Sequence, residues 1–200
     1  MFSLSVFMKG FGIGSGLIVA IGAQNAFVLK QGLKQQYVFW LCLLCALSDS
    51  ILIALGVLGF AEIMATSPLL ITIAKYLGAT FLLVYGTKAF HAAFKKTQSI
   101  ELVSHQKQTL TQVLLTGLAF TWLNPHVYVD TIVLIGSVAT QFEDKISFAL
   151  GSIVASWIFF FSLGYGSRLL KPLFTNPKAW KVLDFMIGCM MWSIAISLLL

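Results

Sequence analysis

Charged residues are scarce in this sequence of 200 residues. Asp, Glu, Lys and Arg together make up 10% of the chain, whereas hydrophobic residues make up 58%, and the mean hydropathy is +0.92. Soluble domains typically contain about 25% charged residues. The composition therefore excludes a soluble globular domain and predicts a polytopic membrane protein, with a single membrane domain over residues 1–200.

Long apolar stretches recur along the chain, separated by short polar turns. A transmembrane helix needs about 20 predominantly apolar residues, and the alternating pattern of barrel strands does not occur. Six stretches meet the requirement, so the fold class is predicted to be all-α, and the first stretch is expected to be retained rather than cleaved as a signal. The predicted spans cover residues 4–29, 38–60, 68–90, 110–138, 147–168 and 182–200.

Acidic residues are fewer than basic ones, 7 against 13, and the basic residues collect in alternate loops. Because cytoplasmic loops are enriched in Lys and Arg, the net charge of +6 indicates orientation in a membrane rather than binding to nucleic acid. Both termini are predicted to lie outside, in common with the loops that contain Glu62 and residues 143–145. The predicted cytoplasmic residues are Lys30, Lys34, Lys88, Lys95, Lys96, Lys107, Arg168, Lys171, Lys178 and Lys181.

Cysteine is also rare, with three residues in the chain. Cys42 and Cys45 have the spacing of a redox or metal pair, but they lie in an apolar stretch where thiols behave as small hydrophobic groups and resist ionisation. We therefore interpret them as packing residues. The three histidines lack the spacing that places two zinc ligands on one helix face; they are His91, His105 and His126.

Four glycines alternate with other residues in the first span, from Gly10 to Gly16. They resemble a phosphate-binding loop, but no strand precedes them and no acidic residue follows about 20 positions later. Gly12 and Gly16 are four positions apart and share one helix face, which favours close approach of a neighbouring helix. We expect this pair to form a helix contact.

Polar residues interrupt the first and fourth spans at matching places. Asn25-Ala26-Phe27-Val28 aligns with Asn124-Pro125-His126-Val127, 99 positions later, and each follows a glycine-containing apolar run. Three spans in each half give the halves opposite orientations, so the sequence predicts an inverted repeat of residues 1–95 and 108–200, which is typical of secondary transporters. Weaker matches pair Leu55-Gly56 with Leu163-Gly164, and Gly78-Ala79 with Gly188-Cys189.

Proline is rare too, and Pro125 lies inside the fourth predicted span. It has no N–H to donate and it clashes with the carbonyl four residues back, so the helix must kink or stop there. The span would also rise roughly 43 Å as a straight helix, against a hydrocarbon core of about 30 Å. We expect broken first helices in both halves, with free backbone groups near a binding site. The alternative is a proline kink that only shapes packing.

Two carboxylates fall inside predicted spans, those of Asp49 and Asp130. A charge at such a depth is costly and usually serves function. Asp130 follows a run of polar and helix-breaking residues, whereas Asp49 lies at the centre of the second span with no cation within one helical turn. A structural ion pair with Lys75 or Lys9 is one interpretation of Asp49. Binding of a cationic substrate or of protons is the other.

The two interrupted segments resemble motifs of the LysE/ArgO family of bacterial amino-acid exporters. They are Gly22-Ala23-Gln24-Asn25-Ala26-Phe27-Val28-Leu29-Lys30-Gln31-Gly32, and residues 120–131, which read FTWLNPHVYVDT. The likeness extends over nearly the whole chain and includes residues 47–49, 151–157 and 188–192. Gln24-Asn25 resembles the basic-amino-acid branch, although many relatives have proline where this chain has Ala23.

The resemblance implies export of arginine, lysine or toxic analogues such as canavanine across a bacterial inner membrane. Membrane potential or a proton gradient is the expected driving force, and no ATP-binding motif contradicts this. No enzyme activity and no cofactor are implied. The expected partners are a basic amino acid, membrane lipid, protons as coupling ion, and a second copy of the chain in a homodimer.

Resemblance and physical chemistry together suggest roles for eight residues of the predicted site. Asp49 and Asp130 are expected to bind the cationic groups of the substrate. Amide side chains and free backbone N–H groups are expected to hold its carboxylate, two aromatic residues to line or gate the path, and Pro125 to break the helix. The amides are those of Gln24, Asn25 and Asn124, and the aromatic residues are Trp122 and Tyr128.

Exporters of other substrates and other protein classes are alternatives. An exporter of neutral amino acids is one, and an exporter of a divalent metal with Asp49, Asp130 and His126 as ligands is another. A membrane thiol–disulfide carrier also has two inverted halves, but Cys42 and Cys45 have no counterparts in the second half. An intramembrane hydrolase is disfavoured because no nucleophile with a paired base can be named.

Overall fold

A computed structural model describes residues 2–19, 22–59, 68–94 and 108–200, and its regular secondary structure over these ranges is helical. The all-α prediction is therefore confirmed. Glu62, Lys95, Lys96, His105 and Lys107 lie outside the described residues. The elements are α1 (Leu4–Val19), α2 (Ala23–Lys34), α3 (Val38–Val57), α4 (Pro68–Phe94), α5 (Leu110–Trp122), α6 (Pro125–Tyr128), a π-helical segment (Val129–Leu134), α7 (Ile135–Ala139), α8 (Lys145–Gly166), a 3-10 helix (Ser167–Thr175) and α9 (Pro177–Leu199).

Three stretches within the described ranges are individually long and apolar enough to cross a membrane. They are α3, α9, and α8 together with the 3-10 helix that continues it to Thr175. The pair α1 and α2 passes the same test as one span that is bent by 79°. These stretches agree with a multi-pass membrane protein, and the arrangement of six spans stays a prediction.

The first predicted span, residues 4–29, is two helices. α1 ends at Val19, and α2 begins at Ala23 and continues to Lys34, five residues beyond the predicted end. Gly22 caps α2 in an extended conformation without a side-chain hydrogen bond. The Asn25 side chain donates from Nδ2 to the Ile18 carbonyl at 2.9 Å, and so satisfies a carbonyl near the end of α1. Polar residues therefore mark a real break.

The fourth predicted span, residues 110–138, is also interrupted. α5 begins at a capping box in which Thr109 and Gln112 exchange hydrogen bonds, and it ends at Trp122. Pro125 is the first residue of α6, a position where its missing N–H is not needed within the helix. The chain therefore stops one helix and starts another, instead of kinking a continuous one. A π-helical segment follows from Val129 to Leu134.

Side-chain caps set the helix starts in the last third of the chain. Asp144 accepts a hydrogen bond from the Ser147 N–H at 3.0 Å and begins α8, and its hydrogen bonds with Ser147 hold the pKa of Asp144 below its usual value. It also accepts from the Ser3 N–H at 2.9 Å, which ties the start of α1 to α8. Asn176 caps α9. That helix starts at Pro177 rather than at the predicted residue 182, because a cap followed by proline favours a helix start.

The helix contact predicted for Gly12 and Gly16 is wrong. Among the described residues, no atom of another element lies within 4 Å of a Cβ added to either glycine, whereas a Cβ on Gly10 or Gly14 would lie 2.9 Å from a Cα of α8. The Ser152 hydroxyl donates to the Gly10 carbonyl at 2.9 Å across this contact. Both glycine pairs have the same spacing, so the position of the partner helix decides which pair is buried.

Candidate functional site

A cavity of about 220 Å³ lies where the two helix breaks approach α3. It is smaller than the ~300–1,000 Å³ typical of sites for drug-sized ligands, which suits a small solute. Residues of α1, α8 and α9 supply apolar walls, among them Ile18, Phe160 and Ile194. The polar lining residues are Gln24, Asn25, Asp49, Asn124 and Thr131.

Among the described side chains, Asp49 supplies the carboxyl group of this cavity. Asp49 is 4% exposed, and its Oδ2 accepts a hydrogen bond from the Ser156 hydroxyl at 2.9 Å. Among the described side chains, which do not include that of His126, no Lys, Arg or His nitrogen lies within 4.0 Å of this carboxylate. The ammonium group of Lys9 lies over the Phe142 ring instead, 5.3 Å from its centroid. The structural ion pair considered for Asp49 is therefore absent from the described part of the chain.

Hydrogen-bond donors line the cavity at the start of α2. Gln24 is 7% exposed and its side chain lies beside the Cys45 thiol, but among the described residues its Nε2 has no partner that meets hydrogen-bond geometry. A buried donor without a partner costs about 1–3 kcal/mol, so a ligand or water that accepts from it would be stabilised. The first backbone N–H groups of α2 follow Gly22, which gives them no side-chain cap. They carry the positive end of the helix dipole.

A side-chain hydrogen bond crosses each break. Asn25 donates across the first break, as described above, and the Tyr128 hydroxyl donates to the Trp122 carbonyl across the second. The Trp122 indole N–H donates to the Ser48 hydroxyl at 3.2 Å, which fixes the end of α5 against α3. These bonds hold two interrupted helices around one polar cavity, which is an arrangement suited to binding a small solute between helices.

A family model described as a LysE type translocator matches residues 15–200. The chain belongs to this family. It is thus a multi-pass membrane translocator rather than an enzyme, as the sequence predicted.

Several bacterial relatives of this LysE-family protein carry the name arginine exporter protein ArgO. The relative from Pectobacterium carotovorum is 40% identical over 196 residues, which cover 97% of this chain and 96% of the relative. The Escherichia coli relative is 41% identical over 198 residues, with 97% and 93% covered. The Serratia proteamaculans relative is 39% identical over 197 residues, with 98% and 96% covered. No solved structure matches the chain.

Four of the six predicted site residues whose side chains the structure describes line the cavity. Trp122 and Tyr128 do not line it, and their hydrogen bonds are at the second break. Pro125 begins α6 and Asp130 lies in the π-helical segment, but their side chains are outside the described part of the chain. The four that do line it are Gln24, Asn25, Asp49 and Asn124.

Sequence reasoning missed two polar residues of the site. Thr131 lines the cavity and donates from its hydroxyl to the Val127 carbonyl at 2.5 Å. Ser156 bonds to Asp49. A signal for Ser156 was present, because the offset of 108 positions between Gly56 and Gly164 maps Ser48 onto it.

The cysteines pack as the sequence predicted. Cys42 and Cys45 are free thiols within the buried core, and Cys42 donates from Sγ to the Phe160 carbonyl at 3.2 Å. Among the described side chains, no three His, Cys, Asp or Glu residues come together as a metal site. The proposed metal ligands His126 and Asp130 are outside that set of side chains.

Proposed function

We propose that this protein is a secondary active exporter of arginine from the bacterial cytoplasm across the inner membrane. Lysine and canavanine are further proposed substrates, because they share the cationic side chain of arginine. One observation carries the proposal: the buried Asp49 carboxylate faces a small cavity and has no cationic partner in the described part of the chain. The names of the relatives agree with it.

A partner is proposed for each charged group of a basic amino acid. Asp49 is proposed to bind one cationic group of the substrate. Asp130 is proposed to bind the other, on the basis of the sequence alone. The substrate carboxylate is proposed to accept from Gln24 and from the first N–H groups of α2, with Asn25 and Asn124 beside them. A neutral side chain would leave a buried charge unpaired, which costs several kcal/mol. This cost favours basic over neutral amino acids.

Exchange with a proton is the proposed coupling. Moving one positive charge out of a cell against a potential of 100 mV costs about 2.3 kcal/mol. Exchange of one arginine cation for one proton makes the cycle electroneutral and removes that cost. When the substrate leaves, Asp49 loses its cationic partner, and a proton taken up by the carboxylate would replace the lost positive charge. Asp49 is thus a candidate carrier of the returning proton.

The helix contacts support the inverted repeat. In the proposed repeat, α1 and α2 correspond to α5–α7, α3 to α8, and α4 to α9. α1 of the first half packs on α8 of the second half. The equivalent contact, between the first helices of the second half and α3 of the first half, is also present, because α5 and α7 pack on α3. The contacts between α3 and α8 and between α4 and α9 each join two equivalent helices, so exchanging the halves leaves them unchanged.

Two close glycine contacts are also equivalent when the halves are exchanged. Gly32 of α2 lies against Gly164 of α8, and Gly136 of α7 lies against Gly56 of α3. The two breaks then face opposite sides of the membrane. We propose that they flex alternately as gates, with the break at Asn25 towards the cytoplasm and that at Asn124 towards the exterior.

The test measures efflux of labelled arginine and lysine from preloaded cells that lack their own basic-amino-acid exporters. Asp49→Asn is compared with wild type at equal membrane abundance. We expect it to reduce arginine efflux at least about tenfold, equivalent to about 1.4 kcal/mol. Asp130→Asn tests the second carboxylate in the same way. Efflux that collapses when the pH gradient is removed would support proton exchange.

Asp144→Asn is the matched control, because it makes the same chemical change away from the cavity and asparagine also caps helices well. It is expected to export arginine at close to the wild-type rate. Absence of both arginine and lysine efflux from wild type would refute the function. Full efflux by Asp49→Asn would refute the proposed role of the cavity.

A further inference from the structure

Asp184 is a second buried carboxylate, separate from the cavity. It lies on α9, is 6% exposed, and forms an ion pair with Lys30 of α2, whose side chain is 15% exposed. The hydrogen bond uses one carboxylate oxygen, Oδ1. In the proposed repeat, α2 and α9 belong to different halves, so the pair joins the two halves. The function proposed above does not use this pair.

The pair lies along two helices that also line the cavity. On α2, Lys30 follows the cavity residue Gln24 by six positions, or about 9 Å along the axis. On α9, Asp184 precedes the cavity residue Ile194 by ten positions, or about 15 Å. The pair is therefore displaced from the cavity towards the end of α2. The positive loops predict that this end faces the cytoplasm.

Unused hydrogen-bond capacity also lies on α2, one residue further along the chain than Lys30. Gln31 directly follows Lys30, is 2% exposed, and donates from Nε2 to the Gln108 side-chain oxygen at 2.5 Å. In the described structure its own Oε1 is buried without a partner. A carboxylate and an orphan amide oxygen are both acceptors, and a guanidinium group supplies five N–H donors. Lys34, four positions after Lys30, adds a second cation on the same face of α2.

We propose that Asp184 is a cytoplasmic subsite at which the cationic side chain of the substrate replaces Lys30, and that this exchange selects cationic over neutral amino acids before they reach the cavity. The proposal rests on the proposed function, since it assumes that a basic amino acid passes this way. Lys30 then turns to the substrate carboxylate.

Charge compensation gives the exchange its selectivity. When one cation replaces another, Asp184 stays paired throughout, and the released Lys30 ammonium gains the substrate carboxylate as partner. A neutral substrate that separated the pair would leave Asp184 unpaired at a buried position, which is strongly unfavourable. Discrimination against a wrong ligand through an unpaired buried charge is a general route to specificity.

The first test compares export of arginine and citrulline, which has the same shape but a neutral ureido group. Wild type is expected to export arginine and to discriminate against citrulline. The double variant Lys30→Gln/Asp184→Asn replaces both charges with amides of similar size. Its citrulline-to-arginine efflux ratio is expected to rise at least about tenfold, a change of about 1.4 kcal/mol in discrimination. An unchanged ratio would overturn the proposal and leave the pair as a structural clamp.

A binding measurement decides the matter if the double variant exports nothing. Purified full-length protein with Asp49→Asn, which lacks the cavity carboxylate, is assayed for equilibrium binding of labelled arginine. Adding Lys30→Gln removes the competing ammonium and is expected to strengthen binding severalfold. Adding Asp184→Asn instead is expected to weaken it severalfold. Binding that is indifferent to both substitutions would overturn the subsite.

The two proposals fail separately. If wild type exports neither arginine nor lysine, the proposed function fails, and the binding measurement alone decides whether Asp184 holds a guanidinium group. If wild type exports arginine but the ratio and the binding do not respond to residues 30 and 184, the function stands and the subsite fails.

Discussion

In the described structure the Asp49 carboxylate accepts a hydrogen bond from a neighbouring helix. The Ser156 hydroxyl of α8 donates to it at 2.9 Å, and the carboxylate otherwise faces the cavity. Hydrogen bonds to charged groups contribute about 1.5–3 kcal/mol. Ser156 is therefore a positioning residue for the charge that the proposed function places at the centre of substrate binding.

Ser156→Ala is expected to lower arginine efflux about tenfold at equal membrane abundance, because Asp49 loses the bond that orients it. Ser152→Ala is the matched control on the same helix, since its hydroxyl bonds to the Gly10 carbonyl outside the cavity. It is expected to lower thermal stability but to preserve efflux per folded molecule. Equal efflux per folded molecule from the two variants would refute the positioning role.

At the scale of single elements, α1 and α8 pack closely because small residues lie at their contact. Gly10 and Gly14 lie against α8 so closely that a Cβ on Gly14 would approach the Ser152 Cα within 2.9 Å. Gly16 lies on the open side of the same helix. Without a hydrophobic driving force between helices in lipid, such close backbone packing is a main source of helix association.

Gly14→Ala is expected to lower the unfolding temperature of the purified protein, since overpacking a close contact costs about 1–3 kcal/mol. Gly16→Ala adds the same methyl group at a position where no other described element lies within 4 Å. Its unfolding temperature is expected to equal or exceed that of wild type, because alanine favours helix. Thermal unfolding in detergent, followed by size-exclusion chromatography, measures both. The opposite order of the two variants would contradict the observed helix register.

At the scale of the whole molecule, the loop charges and the helix contacts support the same architecture. Lys30 and Lys34 at the end of α2 are predicted to face the cytoplasm, together with Arg168 and Lys171 in the 3-10 helix. α2 also packs on the 3-10 helix, so these two basic regions are neighbours in the fold. Their proximity supports a common side of the membrane.

Orientation is tested by cysteine labelling in a variant without Cys42, Cys45 and Cys189. Phe2→Cys is expected to react with a membrane-impermeant maleimide in intact spheroplasts, because both termini are predicted to lie outside. Lys178→Cys is expected to react only after permeabilisation. The reverse pattern would invert the predicted topology, and with it the side from which substrate reaches Asp184.

The sequence by itself determined that this is a helical membrane protein and where its interruptions lie. Composition and apolar run length suffice for that, because an apolar run of about 20 residues can cross a bilayer as a helix, which hydrogen-bonds its own peptide groups. The breaks near Asn25 and Pro125 could also be predicted from local chemistry. Polar side chains in an apolar run, and the missing N–H of proline, interrupt a helix within one turn of their own position. Gln24, Asp49 and Asn124 were thus recognised before their positions were known.

Only the tertiary structure decided which side chains meet. The glycine spacing allowed two faces of α1, and the position of α8 selected Gly10 and Gly14. Likewise, Ser156 could be related to α3 by the repeat offset, but its bond to Asp49 and the pairing of Lys30 with Asp184 join residues more than 100 positions apart. Helix periodicity fixes which residues share a face, whereas the partner of each face depends on how all the helices pack together.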